Sequence, residues 1–282
     1  MTATIIDGKQ LAAQKRKQLT TRVEALVQRG VTPGLTVILV GDDPASATYV
    51  RGKEKACQAV GINSRVVRLP AATSEAELLA HVHACNEDAS VDGILVQLPL
   101  PRHIDERKII QAIDPAKDVD GFHPVNMGNL VIGTPGFLPC TPYGIMEMFK
   151  AYDISLAGKH AVVIGRSNIV GKPIALLMQR EHATVTMCHS RTQDLAEVTR
   201  TADVVVAAVG RAHLVTGDFI KPGAVVIDVG MNRLPNGKLT GDVAYDDVKE
   251  TAAYMTPVPG GVGPMTIAML LYNTVQSAEQ RL

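Results

Sequence analysis

The sequence predicts an α/β protein of two domains, each built on a parallel sheet. Short apolar runs alternate with helix-length segments along most of the chain. Several runs are near-continuous in Val, Ile and Ala, as in strands covered on both faces. The 282 residues exceed one ordinary domain, and the texture of the sequence changes near its middle.

In the first half, residues 35–40 (LTVILV), 64–69 (SRVVRL) and 92–98 (DGILVQL) are the expected strands. SATYVRGKEKACQAV and SEAELLAHVHACNED lie between them with apolar residues at helical spacing, and Ser74 with Glu77 forms an expected capping box. From Pro115 to Pro142 the chain is rich in Gly and Pro and has no sustained period, which marks a functional loop or a domain junction. Thr141 and Pro142 then match the cap and first position of a helix. A second alternating series follows: 160–165 (HAVVIG), 183–188 (ATVTMC), 202–210 (ADVVVAAVG) and 224–230 (AVVIDVG). LPNG at 234–237 signals a turn. MTPVPGGVGPMT (255–266) is a second Gly/Pro-rich loop, and a final helix is expected over about 264–280.

Bulk composition narrows the function. Hydrophobic residues make up 46% of the chain and charged residues 20%, enough for sizeable cores. Lys plus Arg and Asp plus Glu both count 28, so no global charge draws the chain to nucleic acid or to an acidic membrane. No run approaches the ~18 apolar residues of a membrane helix. The opening MTATIIDGKQLAAQ predicts neither a signal nor a transit peptide. Cys57, Cys85, Cys140 and Cys188 are widely spaced, which argues against zinc or a disulfide framework and for a reducing cytoplasm. No His/Cys/Asp cluster has metal-ligand spacing; His81 and His83, two apart, point to different faces of their helix.

GRSNIVGKP (165–173) sits between an expected strand and an expected helix, where free amides and the helix dipole receive phosphate. It departs from G-x-G-x-x-G: Ser167 replaces the second glycine, and Gly171 comes late. Taken alone, it fits either a lengthened dinucleotide turn of Rossmann type or an ordinary helix cap. An NAD site expects a carboxylate about 20 residues on. Here the second strand ends in CHSRT, where Ser190 and Arg191, with Arg166 in the loop, suit a 2′-phosphate; the spacing favours NADP, while HSRT by itself also fits a solvated loop.

In the first half, Tyr49 and Lys53 stand at i and i+4, hence on one helical face. A buried lysine there would serve proton transfer; a charged surface helix is the alternative. The same Tyr-x-x-x-Lys spacing marks short-chain dehydrogenases, but there it follows the nucleotide loop and here it precedes it. Gln97 ends a strand at a ligand-binding sheet edge, and the Leu-Pro-Leu-Pro that follows halts the strand, with room for a cis bond. Asp118 and Asp120 lie in the long loop. Turn capping suits Asp118 better, whereas a buried Asp120 is a bidentate partner for an amino-heterocycle such as a pterin.

Together, GDDPASATYVRGKEKACQAVGI, DGILVQLPLP, KDVDGFHPVNMG, PCTPYGIMEM, GRSNIVGKP, CHSRT and TPVPGGVGPMTIAMLL resemble, in order and over nearly the whole chain, the bifunctional methylenetetrahydrofolate dehydrogenase/methenyltetrahydrofolate cyclohydrolase family. The resemblance implies an N-terminal three-layer α/β domain (1–140) for folate and catalysis. It also implies a Rossmann-type NADP domain (141–263), a cleft between them, and a C-terminal helix (264–282) packed back on the first domain. Lys53 falls on the family's catalytic lysine, Gln97 on its modulator, Tyr49 on a pocket residue and Asp120 on the pterin anchor. Val96 and Leu98 flank Gln97 in the folate pocket. Pro259, Gly260, Gly261, Val262, Gly263 and Pro264 line the substrate cleft. Gly165, Arg166, Ser167, Ser190 and Met231 match the NADP site, with Met231 where relatives often carry Ile or Thr.

The implied chemistry is oxidation of 5,10-methylenetetrahydrofolate by NADP⁺, then hydrolysis of the methenyl cation to 10-formyltetrahydrofolate. Desolvation and hydrogen bonding from Gln97 are expected to help Lys53 lose its proton. The implied partners are tetrahydrofolate derivatives and a second copy in a homodimer, with no nucleic acid and no membrane. A shikimate dehydrogenase-like enzyme is the rival, though it needs neither VQLPLP nor PGGVGP; a catalytically dead nucleotide-binding regulator is the other.

Overall fold

The computed structural model describes residues 2–282. The chain folds as two compact units: one comprises residues 13–140 and 267–282, the other the opening stretch through Ala12 with residues 141–266.

The chain begins with β1 (Thr4–Ile5) and α1 (Gly8–Gln28), then enters a β-α-β-α-β series. Its members are β2 (Gly34–Val40), α2 (Pro44–Val60), β3 (Asn63–Leu69), α3 (Glu75–Glu87) and β4 (Gly93–Val96). These strands form a parallel sheet in the order β3-β2-β4, with Val37 opposite Val66 on one side and Leu95 on the other. Every residue of β2 is buried, which explains why its run is apolar apart from Thr36. Asp43 caps α2, accepting from the Ser46 amide at 2.7 Å, and Pro44 opens the helix. The capping box on α3 is present: the Ser74 amide donates to Glu77 Oε2 at 2.8 Å and the Glu77 amide to Ser74 Oγ at 3.2 Å. Ile38, Val40, Leu78, Val82, Ile94 and Ile109 centre the core, each such side chain contributing about 1.5–3 kcal/mol on burial.

Three differences from the sequence reading lie near the site. The third strand stops at Val96, so Gln97 lies just past its end; the Leu98–Pro99 bond that follows is cis, for which the Leu-Pro-Leu-Pro run left room. The Gly/Pro-rich stretch is not wholly irregular: after α4 (Glu106–Ala112) it contains α5 (Pro124–Ile132), with His123 as cap, Pro124 at the first position and Gly133 left-handed at φ 80°. The next helix, α6 (Cys140–Ala151), begins one residue before Thr141, so Thr141 and Pro142 lie within its first turn.

The other unit continues through β5 (His160–Ile164), α7 (Gly171–Arg180), β6 (Thr184–Cys188), α8 (Leu195–Thr199), β7 (Val204–Ala207) and β8 (Val225–Asp228). After these come the hairpin strands β9 (Asn232–Arg233) and β10 (Leu239–Thr240), then α9 (Tyr245–Val248) and β11 (Tyr254–Met255). The last helix, α10, spans Val262–Glu279. The main sheet has the order β1-β11-β8-β7-β5-β6 and is parallel throughout. Strand order reverses at β5, between β6 on one side and β7 on the other, the switch point at which doubly wound sheets open their ligand crevice. β7 and β8 are shorter than their apolar runs because the runs continue into the loops at the carboxyl edge. β1 joins this sheet through β11, pairing Thr4 with Tyr254 and Ile5 with Met255.

Candidate active site

In the first unit, α2 carries Tyr49 and Lys53 on one face, and the end of β4 delivers Gln97. The half-buried Lys53 Nζ donates to Gln97 Oε1 at 2.9 Å. Gln97 Nε2 donates to the Leu98 carbonyl at 2.7 Å, next to the cis peptide, which turns the amide oxygen toward the lysine. Gln97 therefore accepts from Lys53 instead of donating to it, and its effect is to hold Nζ in place. Burial is what lowers the Lys53 pKa; the charge of Asp120 opposes that shift. Burial likewise raises Asp120, opposed by Lys53 and by a hydrogen bond from Cys140. Tyr49, 36% exposed, has a phenol raised by partial burial. Val96 is buried and Leu98 half-buried beside Gln97.

The long loop places its two aspartates differently. Asp118 is buried and accepts from the His123 amide at 2.8 Å, Asn126 Nδ2 at 2.9 Å and the Phe122 amide at 3.3 Å. It closes the turn before α5, as its capping pattern suggested, and burial pushes its pKa up to about 7. Asp120 instead faces Lys53 and Cys140. Cys140, unassigned by sequence, joins this cluster: its Sγ donates to the Val119 carbonyl at 3.2 Å, and burial lifts its thiol well above the usual range. Its signal was a cysteine between two prolines, at the start of a helix, with nothing to say which loop it would meet.

In the second unit, Gly165 follows β5 at φ +126°, and a Cβ there would collide with the Ala208 carbonyl oxygen. A Cβ at Gly171 would run into the Gly165 carbonyl. Ser167 Oγ accepts from the Val170 and Gly171 amides, both at 3.2 Å, so this serine closes the longer turn. Among the described residues, the amides of Arg166, Ser167 and Asn168 have no protein acceptor. A glycine-lined turn with free amides at a helix start fits a pyrophosphate. At the end of β6, the Arg191 amide donates to His189 Nδ1 and the His189 amide to Thr192 Oγ1, leaving the Ser190 and Arg191 side chains exposed. No carboxylate stands there. Met231, 41% exposed, follows β8; a Cβ built at Gly263 would lie 3.5 Å from its Cε.

Pro259 to Pro264 fall in this unit too. The Val258–Pro259 bond is cis, Gly260 has φ +106°, and the Gly261 amide donates to Pro257 O at 2.9 Å. All four cysteines are free and buried. Among the described residues no helix is long and apolar enough to cross a membrane.

A doubly wound sheet with a phosphate-type turn, and a second α/β unit holding a desolvated lysine beside a carboxylate, define a nucleotide-dependent two-unit enzyme. Comparison with known proteins narrows the class. Residues 6–120 match the tetrahydrofolate dehydrogenase/cyclohydrolase catalytic domain, and residues 139–282 match the NAD(P)-binding domain of the same family. The bifunctional protein FolD of Enterococcus faecalis is 60% identical over 279 residues, covering 99% of both chains. The crystal structure of the FolD methylenetetrahydrofolate dehydrogenase/cyclohydrolase of Campylobacter jejuni superposes with a TM-score of 0.98 at 52% identity, over 99% of this chain and 100% of that one. That of the Trypanosoma brucei enzyme, complexed with NADP and an inhibitor, gives 0.96 at 42%, over 100% and 99%. The chain belongs to the tetrahydrofolate dehydrogenase/cyclohydrolase family.

Proposed function

We propose that Lys53, held by Gln97 and faced by the charge of Asp120, is the proton-handling group of this enzyme. The chain is an NADP-dependent methylenetetrahydrofolate dehydrogenase and methenyltetrahydrofolate cyclohydrolase: it oxidises 5,10-methylenetetrahydrofolate to the methenyl compound and hydrolyses that to 10-formyltetrahydrofolate. The observation that carries the site assignment is the Lys53 Nζ to Gln97 Oε1 hydrogen bond, 2.9 Å, in a half-buried position.

When bound, NADP⁺ would supply the hydride acceptor for the methylene carbon. Gly165, Arg166 and Ser167 would hold its pyrophosphate, Ser190 and Arg191 would take the 2′-phosphate, and Met231 would belong to the same site. Asp120 anchors the pterin through its amino edge, with Tyr49, Val96 and Leu98 around the ring. Pro259, Gly260, Gly261, Val262, Gly263 and Pro264 stay substrate-lining residues in this reading. Hydride transfer asks the protein for alignment alone. Hydrolysis asks for proton movement: Lys53, as the amine, takes a proton from the attacking water and returns one as the ring C–N bond breaks. The buried site favours that amine, and Gln97 keeps its nitrogen aimed.

In this reading the unit of residues 13–140 and 267–282 is the folate-binding, catalytic part, and the unit of residues 141–266 with the opening stretch through Ala12 is the NADP-binding part. A homodimer belongs to the same reading: β6 is the edge of the six-stranded sheet, with Met187 37% exposed on it, an edge that a second copy would cover. So does the cytoplasm, which suits four unpaired thiols.

The test mixes purified protein with 5,10-methylenetetrahydrofolate and NADP⁺, following NADPH absorbance and the formyl product. Both should appear. Protein that binds NADPH yet forms neither product overturns the reading.

A further inference from the structure

Two carboxylates at the carboxyl edge of the main sheet have no part in the chemistry above. Asp228 ends β8 and Asp242 follows β10; they are 4% and 0% exposed. Backbone amides satisfy them. Asp242 Oδ2 accepts from Val209 at 2.7 Å and Gly210 at 3.0 Å. Its Oδ1 accepts from the Arg211 amide at 2.8 Å and from Asn232 Nδ2 at 2.9 Å. Asp228 Oδ1 accepts from the Gly230 and Asp242 amides, both at 2.9 Å, and Oδ2 from Val243 at 3.0 Å. Two side chains thereby tie together the loop after β7, the loop after β8 and the return from β10. The glycines make room for them: a Cβ at Gly230 would strike the Asp242 carboxylate, and one at Gly241 the Asp228 carboxylate.

Sheet order says what these loops face. The phosphate turn follows β5, and the Ser190/Arg191 loop follows β6. β7 and β8 lie on the opposite side of β5 from β6. A dinucleotide crossing the switch point with its adenosine half toward β6 leaves its nicotinamide half to the loops after β7 and β8. The β7 loop also abuts the phosphate turn, through Ala208 against Gly165. Three successive amides committed to one carboxylate give that loop a fixed shape, and a ligand that needs the shape is spared the cost of ordering it.

We propose that Asp228 and Asp242 are positioning residues for the nicotinamide half of the cofactor, setting the shape of the 209–211 and 229–232 loops without touching the ring. The inference rests on the NADP-dependent reading.

The test uses Asp242→Asn in the full-length protein. NADPH should bind about tenfold more weakly, and the KM for NADP⁺ should rise, because the loop amides lose a charged acceptor. The adenosine-half fragment 2′,5′-ADP should bind within about twofold of wild type, the spread of a surface-level change. Cyclohydrolase kcat/KM, which needs no nicotinamide, should hold within the same range. In ligand-free protein the Val209, Gly210 and Arg211 amides should exchange hydrogen faster than in wild type. NADPH affinity equal to wild type overturns the inference, and so does an equal loss for NADPH and 2′,5′-ADP, or a parallel loss of cyclohydrolase activity. Should Asp242→Asn not fold, Asn232→Ala, which removes one donor and keeps both carboxylates, decides by the same readouts with a threefold or so effect on NADPH. A wild-type protein that fails to bind NADPH sinks the underlying cofactor reading instead.

Discussion

At Lys53 two forces act on one proton. Burial favours the neutral amine, and the Asp120 charge favours the ammonium. The balance lies below the ordinary lysine value, so the rising limb of the cyclohydrolase pH–rate profile should fall below that of a free lysine, near 10.5. Asp120→Asn removes the opposing charge, and the limb should move further toward acid even as folate binding weakens. A limb unmoved in that variant means that Asp120 does not act on Lys53. Lys53→Met should lower methenyltetrahydrofolate hydrolysis by about a hundredfold or more while NADPH binding persists. Lys53→Arg should not restore it, because a guanidinium stays protonated; hydrolysis near the wild-type rate in either variant removes Lys53 from the mechanism.

Asp118 gives a stability prediction of its own. Its folded pKa of about 7 lies above the unfolded value near 3.8, so the folded state holds its proton more tightly. Its contribution is complete below pH 3.8 and is lost as pH rises through about 7, at up to about 1.4 kcal/mol per unit of separation. The Tm of wild type minus that of Asp118→Asn should therefore fall between pH 4 and pH 8. A flat difference would show that the three hydrogen bonds to Asp118 hold it ionised. The placement of Tyr49 and Lys53 on one helical face and of Gln97 at a strand end was legible, because helix period and strand end are local properties. The contacts of Cys140, Asp228 and Asp242 were not, since each depends on a partner loop that only the tertiary fold returns to it.

At the scale of elements, the turn from β5 to α7 was legible as a strand-to-helix turn although its spelling departs from G-x-G-x-x-G. What the letters hid was the work of Ser167, which caps the Val170 and Gly171 amides and so explains the extra length before the second glycine. α5 went unseen because nine residues carry only about two and a half turns of periodicity, and histidine is a rare cap, although Pro124 at its start and Gly133 at its end are ordinary helix punctuation. The exposed Ser190–Arg191 pair leads to a specificity prediction. Arg191→Ala should raise the KM for NADP⁺ about tenfold, the worth of one charge-assisted contact, and leave the KM for NAD⁺ nearly unchanged. An equal effect on both cofactors would place the arginine elsewhere than at the 2′-phosphate.

At the scale of the whole molecule, the return of the last helix is held by specific ties. Arg281 Nε meets Asp92 Oδ1 at 2.8 Å, and its guanidinium also donates to the carbonyls of Ala89 and Thr32. Asp92 is 3% exposed and takes the Gly34 amide as well. Arg281→Ala strands that carboxylate, and with the arginine side chain about one-third exposed the cost should be about 1–3 kcal/mol, less than for a fully buried pair. Urea unfolding measures it; a loss under about 0.5 kcal/mol would mean that water replaces the guanidinium. Sequence periodicity announced the two strand series, but not the pairing of Thr4 and Ile5 with β11, since two residues carry no pattern.

That pairing, together with the returning helix, means that neither unit is a continuous length of chain. Viewed as a schedule of synthesis, the protein cannot follow the usual rule that the N-terminal domain folds first. The catalytic unit has its sheet once Val96 has emerged, yet waits for residues 267–282 to finish its core. The dinucleotide unit holds its first strand unpaired until Met255 arrives. Both cores close within the last few dozen residues, so a ribosome that stalls late releases two unfinished units at once, and a single protease cut near residue 140 frees neither one whole.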